Sequence, residues 1–314
     1  MLGGTRFVGE AIVRRLLADG HRVSLLNRGC TPDAFGDRVE RLRVDRREPG
    51  ALTRVVTAAG GHWDGVVDAT AYRAGDTADA VAAFSRRCER FVHVSTGQVY
   101  LIREGYRGPA REEDDGGPIM PRPQDADDAA EWSYGVEKQG CEDALVAASQ
   151  DCGFPAIRVR IPVVLGPRDP TGRLCAYVTR VRSGQPILAR DGGRNLLRHV
   201  YVEDVARGIA LLLGPAGAGL VGEAINLAQE ETPTLADLVA VIAELCGMAA
   251  PPVVAVTAEE LRTRGLGKEA SPFSGRWTSV LDISRAKARL SWRPTAWRET
   301  IAQAVAGCDV RGRV

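Results

Sequence analysis

The sequence lacks a surplus of either charge: 41 Lys and Arg stand against 40 Asp and Glu, a net charge of +1 with a pI near 7.6. That balance gives no electrostatic case for nucleic acid as the main partner. No run of about 18 apolar residues occurs, so no membrane-spanning helix is expected. No signal peptide is recognised at the start of the chain, and a cytoplasmic protein is the expectation. No two cysteines form a CxxC, and the four histidines do not cluster with them. The expectation is no metal site, with Cys30, Cys88, Cys141, Cys152, Cys175, Cys246 and Cys308 as reduced thiols.

What is present is a chain of 314 residues, 45% of them hydrophobic, enough to bury a substantial core. It opens on almost no first strand: Met1-Leu2 runs straight into Gly3-Gly4-Thr5-Arg6-Phe7-Val8-Gly9. A trimmed or misassigned N-terminus is one expectation from that shortness. The glycines permit a tight turn and let backbone approach a pyrophosphate, which then sits on the N-terminus of the amphipathic run Glu10–Leu17. Arg6 occupies the place where a middle glycine is usual. With the apolar strand Val23–Leu26 following, Gly3, Thr5, Arg6, Phe7, Val8 and Gly9 read as a dinucleotide-binding turn.

The second strand lacks the acidic end residue that would accept hydrogen bonds from an adenosine ribose and repel a 2′-phosphate. Asn27-Arg28-Gly29 stands there instead and suits NADP, with NAD still open. A third strand, Val39–Val44, delivers Asp45 as an adenine contact. A fourth, Gly65–Asp68, leads into Ala69-Thr70-Ala71 at the cofactor, then a helix near 77–88. A fifth, Phe91–Val94, runs into Ser95-Thr96. This alternation predicts an α/β fold with a doubly wound parallel (Rossmann) sheet, its ligands beyond the strand carboxyl ends.

Residues 133–138, Ser-Tyr-Gly-Val-Glu-Lys, carry a YxxxK pattern. On a helix, positions i and i+4 share a face, so Tyr134 and Lys138 project side by side. A phenol near pKa 10 is a poor catalyst at neutral pH, and a neighbouring ammonium is expected to lower that value.

The ordered motifs GGTRFVG, NRG, HVSTGQVY, YGVEK, RIPVVLGP and HVYVEDVARG resemble the extended short-chain dehydrogenase/reductase superfamily, within it the epimerase/dehydratase group. The opening resembles an atypical branch that includes plant chloroplast RNA-associated proteins, many of which lack the Tyr-Lys pair retained here. The resemblance implies that Thr96 hydrogen-bonds the reacting oxygen, Tyr134 is its acid or base, and Lys138 holds the nicotinamide ribose. It places Pro162 and Val163 near the carboxamide, and it implies a homodimer acting on a small-molecule substrate. Gly97-Gln98 stands where sugar-nucleotide 4,6-dehydratases carry Asp-Glu, which disfavours dehydration. Val163 and Leu197 stand where relatives that bind nucleotide sugars often carry Asn and Arg, so a diphosphate has no obvious grip.

The organisation expected is a dinucleotide-binding domain over 1–165 and a smaller interleaved C-terminal substrate lobe over 166–314, with 198–214 returning to the main domain. A lid-like insertion, 101–132, interrupts the first part; its acidic run Glu112–Asp115 is expected to be solvated. Two readings follow. One is an NAD(P)-dependent epimerase or oxidoreductase working at a secondary alcohol or ketone of a sugar-like or polyol substrate. The other is a non-catalytic dinucleotide- or RNA-associated binding protein.

Overall fold

The buried strand residues alternate between two cores, as a pleated sheet covered on both faces requires. In the computed structural model, Val67, Val92 and Ile157 enter one cluster while their neighbours Val66, Phe91 and Ala156 enter another. The structure describes residues 1–190, 192–267, 270–273 and 275–311, the last three of these by backbone alone. In chain order the elements are α1 (Phe7–Ala18), β1 (Val23–Asn27), β2 (Val39–Arg43), α2 (Ala51–Ala59), β3 (Val66–Asp68), α3 (Ala74–Phe84), β4 (Phe91–Thr96), α4 (Gln98–Leu101) and α5 (Ala126–Cys152). There follow β5 (Ala156–Ile161), β6 (Val163–Leu165), α6 (Arg173–Ser183), β7 (Ile187–Ala189), β8 (His199–Tyr201), α7 (Val202–Leu213) and β9 (Ala224–Asn226). The chain ends with α8 (Leu235–Cys246), β10 (Val253–Ala255), α9 (Ala258–Thr263), α10 (Ser284–Leu290) and α11 (Trp297–Arg311).

The main sheet runs β2-β1-Leu2-β3-β4-β5-β9, parallel throughout. Leu2 is the whole of the central strand. Its N–H donates to Val67 O at 2.8 Å, and Gly3 N–H donates to Leu26 O at 3.1 Å, so one residue bridges the two halves of the sheet. Counting it first gives the order 3-2-1-4-5-6 of a doubly wound sheet, with a further strand beyond. One face is covered by α1 and α7 through Ile12, Val13, Leu16, Val205, Ile209 and Leu212. The other is covered by α2, α3 and α5, with Leu52, Val56, Phe84 and Leu145. A third cluster joins α6, α8 and α11 through Tyr177, Val181, Leu238, Ile242 and Ile301. Leu174, Tyr177, Val178 and Val181 follow helical spacing and form the buried face of α6.

Three expectations change. The helix after β3 ends at Phe84, short of Cys88. The insertion closes at Asp125, whose carboxylate accepts from Asp127 N and Asp128 N and so caps α5 seven residues before Trp132. Cys175 and Cys308 are not reduced thiols: they form a disulfide between α6 and α11 across 133 residues of sequence, and the other five cysteines are free.

The acidic run is also corrected. Glu112 is buried; its Oε1 accepts from Asn226 N at 2.9 Å, and Arg285 Nε lies 3.5 Å from its Oε2. Asp115 pairs with the fully buried Arg160, which also donates to Glu112 O at 2.7 Å and to Glu142. Only Glu113 and Asp114 keep the exposed positions expected of all four.

Candidate active site

The turn from Leu2 into α1 builds one wall of a cavity of about 1020 Å³ at the carboxyl ends of β1, β2 and β3. Gly3, at φ +92°, has room for no side chain: a Cβ there would lie 2.8 Å from Thr70 Cγ2. Gly9 faces the same limit from the other side, its absent Cβ 2.8 Å from Gly4 N. The turn therefore folds tightly against the β3 loop. Arg6 is extended at the N-cap of α1 and makes no side-chain cap, which leaves the first N–H groups of a 12-residue helix to serve an anion.

Gly3, Thr5, Arg6, Asn27, Arg28, Asp45 and Thr70 line this cavity. Phe7, Val8, Gly9, Ala69, Ala71, Pro162 and Val163 do not. Phe7 and Val8 pack on the main core, and Val163 packs on the α6–α8–α11 core. Asn27 is held in place: its Oδ1 accepts from Gly29 N at 2.9 Å and from Arg43 Nη1 at 2.8 Å. Arg43 crosses the turn so closely that a Cβ at Gly29 would sit 2.6 Å from its Nη1.

Arg46 was not foreseen. Its Nη1 donates to Asp68 Oδ1 at 2.9 Å and to Thr70 Oγ1 at 2.7 Å, and its Nη2 donates to Asp76 O at 2.7 Å. The fully buried Asp68 in turn accepts from Thr70 N and Ala71 N. This clasp fixes the β3 loop beside the cavity. The partners lie 22 to 30 residues apart, so no local spacing announces them.

Thr96, Tyr134 and Lys138 stand outside that cavity, where β4 meets α5. The Thr96 hydroxyl is the group that acts to lower the Tyr134 pKa, and its Oγ1 accepts from Gln98 N at 3.2 Å. The Tyr72 ring lies 6.4 Å from the Tyr134 ring. Lys138 is 3% exposed and spends its ammonium hydrogens on Ala71 O at 2.9 Å, Val94 O at 2.8 Å and His93 Nε2 at 3.0 Å. Burial lowers the lysine's pKa and holds His93 neutral, well below its usual range.

The expected lowering of the phenol is reversed in this arrangement. Burial pushes Tyr134 up to about 12; the Thr96 hydroxyl opposes this, while Tyr72 and Glu131 add to it. Lys138 is not among the groups that offset the shift; its ammonium is engaged by Ala71 O, Val94 O and His93 Nε2. Glu131, also unforeseen, lies one turn before Tyr134, and its Oε2 accepts from Gln98 Nε2 at 2.6 Å. Among the described residues no three His, Cys, Asp or Glu side chains gather as metal ligands would. No described helix is long and apolar enough to cross a membrane.

The glycine cradle, the uncapped helix start and the size of the cavity fit a dinucleotide. Comparison with known proteins agrees. The chain is 28% identical over 286 residues to 2′-dehydrokanamycin reductase of Streptomyces kanamyceticus, covering 90% of this chain and 75% of that protein. It is 25% identical over 309 residues to the chloroplast stem-loop binding protein of 41 kDa b of Arabidopsis thaliana, covering 94% and 74%. It is 26% identical over 331 residues to dTDP-6-deoxy-L-talose 4-dehydrogenase (NAD(P)(+)) of Kitasatospora kifunensis, covering 97% and 92%. Among solved structures, UDP-glucose 4-epimerase of Thermus thermophilus in complex with NAD superposes with a TM-score of 0.73 at 24% identity, over 100% of this chain and 98% of the other. The dTDP-glucose 4,6-dehydratase of Bacillus anthracis shares the fold at a TM-score of 0.76 and 18% identity, over 98% and 95%. With the NAD dependent epimerase/dehydratase family matching residues 1–228, on a doubly wound sheet whose glycine turn frames a dinucleotide-sized cavity, the chain belongs to that family.

Proposed function

We propose that the protein is an NAD(P)-dependent epimerase or reductase/dehydrogenase, with NADP favoured over NAD, acting at a secondary alcohol or ketone of a sugar-like or polyol substrate. The observation that carries this reading is the placing of Tyr134 of α5 with its ring 6.4 Å from that of Tyr72, a residue of the cavity wall, and with Thr96 at the carboxyl end of β4 acting on its phenol. When bound, a nicotinamide dinucleotide supplies the hydride acceptor or donor. Gly3, Thr5 and Arg6 with the α1 N-terminus would hold the pyrophosphate, Arg28 the 2′-phosphate and Asp45 the adenine, with Thr70 on the same cavity wall and Ala69 and Ala71 behind it. Pro162 and Val163, which do not line this cavity, would be the residues nearest the carboxamide.

In the reductive direction Tyr134 gives its proton to the carbonyl oxygen while Thr96 donates a hydrogen bond to the same atom; in the oxidative direction Tyr134 takes the proton back. A phenol held near 12 is protonated across the working range and so is ready as the acid. To serve as the base it needs the ammonium of Lys138, which must give up one of its three present partners to reach the ribose. Gly97-Gln98 supplies no acid or base at the strand end, which disfavours 4,6-dehydration. The relatives' names include a reductase of a dehydro-aminoglycoside and a dehydrogenase of a nucleotide-linked deoxysugar. Keto-hexopyranosides are therefore the substrates to present, free, aminoglycoside-linked and dTDP-linked.

The test is NADPH oxidation against that set. Tyr134→Phe is expected to lower turnover by about 10²–10⁴-fold with an unchanged circular dichroism spectrum. Survival of activity in a folded Tyr134→Phe protein would sink the mechanism. The second reading, a dinucleotide- or RNA-associated binding protein, draws on the stem-loop binding relative. It predicts binding without turnover and indifference to Tyr134→Phe.

A further inference from the structure

The end of β4 carries no acid of its own, yet a carboxylate reaches it from another element. Glu131 stands on α5 three residues before Tyr134, on the same face of the helix. Its Oε2 takes a 2.6 Å hydrogen bond from Gln98 Nε2, and Gln98 is buried, with its backbone N–H on Thr96 Oγ1. Hydrogen bonds therefore join Thr96 through Gln98 to a carboxylate that stands one helical turn from Tyr134, the other residue assigned to the carbonyl oxygen. Glu131 is exposed, and its Oε1 accepts no hydrogen bond among the described residues, so one oxygen is left for a ligand.

We propose that Glu131 is a second acid–base residue of this site, its carboxylate placed to remove and return the proton on the carbon next to the carbonyl that Tyr134 serves. The inference rests on the ketone chemistry proposed above and adds to it a reaction at a second carbon. The α C–H bond breaks and its proton passes to the Glu131 carboxylate. The electron pair becomes the C=C bond of an enolate, whose oxygen keeps its hydrogen bonds to Tyr134 and Thr96. Return of a proton from the Glu131 carboxyl to the face it left restores the ketone, so no oxidant, reductant or co-reactant is consumed. Delivery of a proton from water to the opposite face, with Glu131 passing its own proton to solvent, inverts that carbon. The strand-end Asp-Glu pair that Gly97-Gln98 replaces is not needed for this step.

The surroundings suit the role. Desolvation of the carboxyl, followed by repulsion from Asp128 and Asp127, raises the Glu131 pKa above the usual carboxylate range, and Arg173 at the start of α6 opposes the shift. Tyr134 on the same helix face also senses this charge. Gln98 on α4 and Arg173 on α6 are the groups that meet Glu131 from other elements; Asp127, Asp128 and Tyr134 share its own. A carboxylate whose pKa is raised is a stronger base towards a carbon acid than an ordinary one.

The experiment follows the α-proton signals of methyl 4-keto-hexopyranoside by proton NMR in D2O, with the whole protein and NADP present. Oxidation of NADPH by the same ketone is read in parallel. The wild type is expected to exchange these protons well above the buffer rate, with a pH profile rising through a single ionisation. Glu131→Gln, which can still hydrogen-bond Gln98, is expected to lose about 10²-fold of that exchange and the ionisation with it. Glu131→Asp is expected to recover part of both. Exchange by the wild type no faster than buffer overturns the proposal, as does a Glu131→Gln protein that keeps the rate and the profile. NADPH oxidation without exchange removes Glu131 and leaves the hydride reading standing. Exchange without oxidation supports Glu131 and removes the hydride reading.

Discussion

Arg28 is exposed at the mouth of the cavity, one residue after the Asn27 side chain that Arg43 and Gly29 hold in place. A cation so placed gains from a 2′-phosphate and little from a ribose hydroxyl. Arg28→Asp is expected to weaken NADP binding at least tenfold more than NAD binding, read by calorimetric titration of each dinucleotide. Equal losses would remove Arg28 from the argument. Tyr134 shows how residue spacing and residue chemistry part company. The i, i+4 spacing correctly placed Tyr134 and Lys138 on one helix, but whether the ammonium touches the phenol depends on three acceptors from β4 and the β3 loop. No pattern within α5 reveals those.

At the scale of elements, the insertion between α4 and α5 is pinned from beneath. Arg160, fully buried on β5, donates to Glu142 Oε1 on α5 at 3.0 Å, to Glu112 O at 2.7 Å and to Tyr100 on α4 at 2.8 Å. Tyr100 passes the connection to Asn226 on β9 at 2.9 Å. Removing one member of a buried ion pair strands the other without solvent, a cost of about 3–5 kcal/mol. Arg160→Met is therefore expected to lose roughly that much stability in urea and to become susceptible to proteolysis between residues 103 and 125. Replacing both members, Arg160→Met with Glu142→Leu, is expected to restore part of it. A single mutant as stable as the wild type would dismiss the clamp. Composition made this segment read as solvated; Glu112 and Asp115 are drawn in because cations brought from α10 and β5 meet them there.

Across the whole molecule, two histidines are buried uncharged. His199, 2% exposed and 4.7 Å from the Phe273 ring, has its pKa lowered to about 3, by burial first and by Arg173 second. The unfolded chain takes this proton near pH 6.5 and the folded protein only near 3, so between those values the unfolded state binds more protons. Stability is therefore complete above 6.5 and falls as the pH drops through the window. Two pH units below 6.5, the loss from one such group is about 2–3 kcal/mol; His93 acts in the same direction. Urea unfolding at pH 7 and pH 4.5 should show this loss in the wild type and a smaller one in His199→Phe. Identical pH sensitivity in the two proteins would refute the assignment. The Cys175–Cys308 bond acts on the same scale, tying α6 to α11.

Local order was legible in the sequence. Alternating apolar residues such as Phe91-Val92 and Ala156-Ile157 set strands buried on both faces. The glycine turn before α1 set the cradle, because Gly3 holds φ +92°, a backbone conformation that side-chain-bearing residues rarely adopt. The order of motifs set the family. The tertiary structure alone decided which charged groups are solvated and which are paired. Arg46 finds Asp68, Arg160 finds Glu142 and Asp115, Glu131 finds Gln98, and Cys175 finds Cys308, across separations from 18 to 133 residues. Secondary structure is written in repeats of two and three to four residues. The environment of a titratable group depends on whatever the folded sheet brings against it, and no repeat in the chain encodes that.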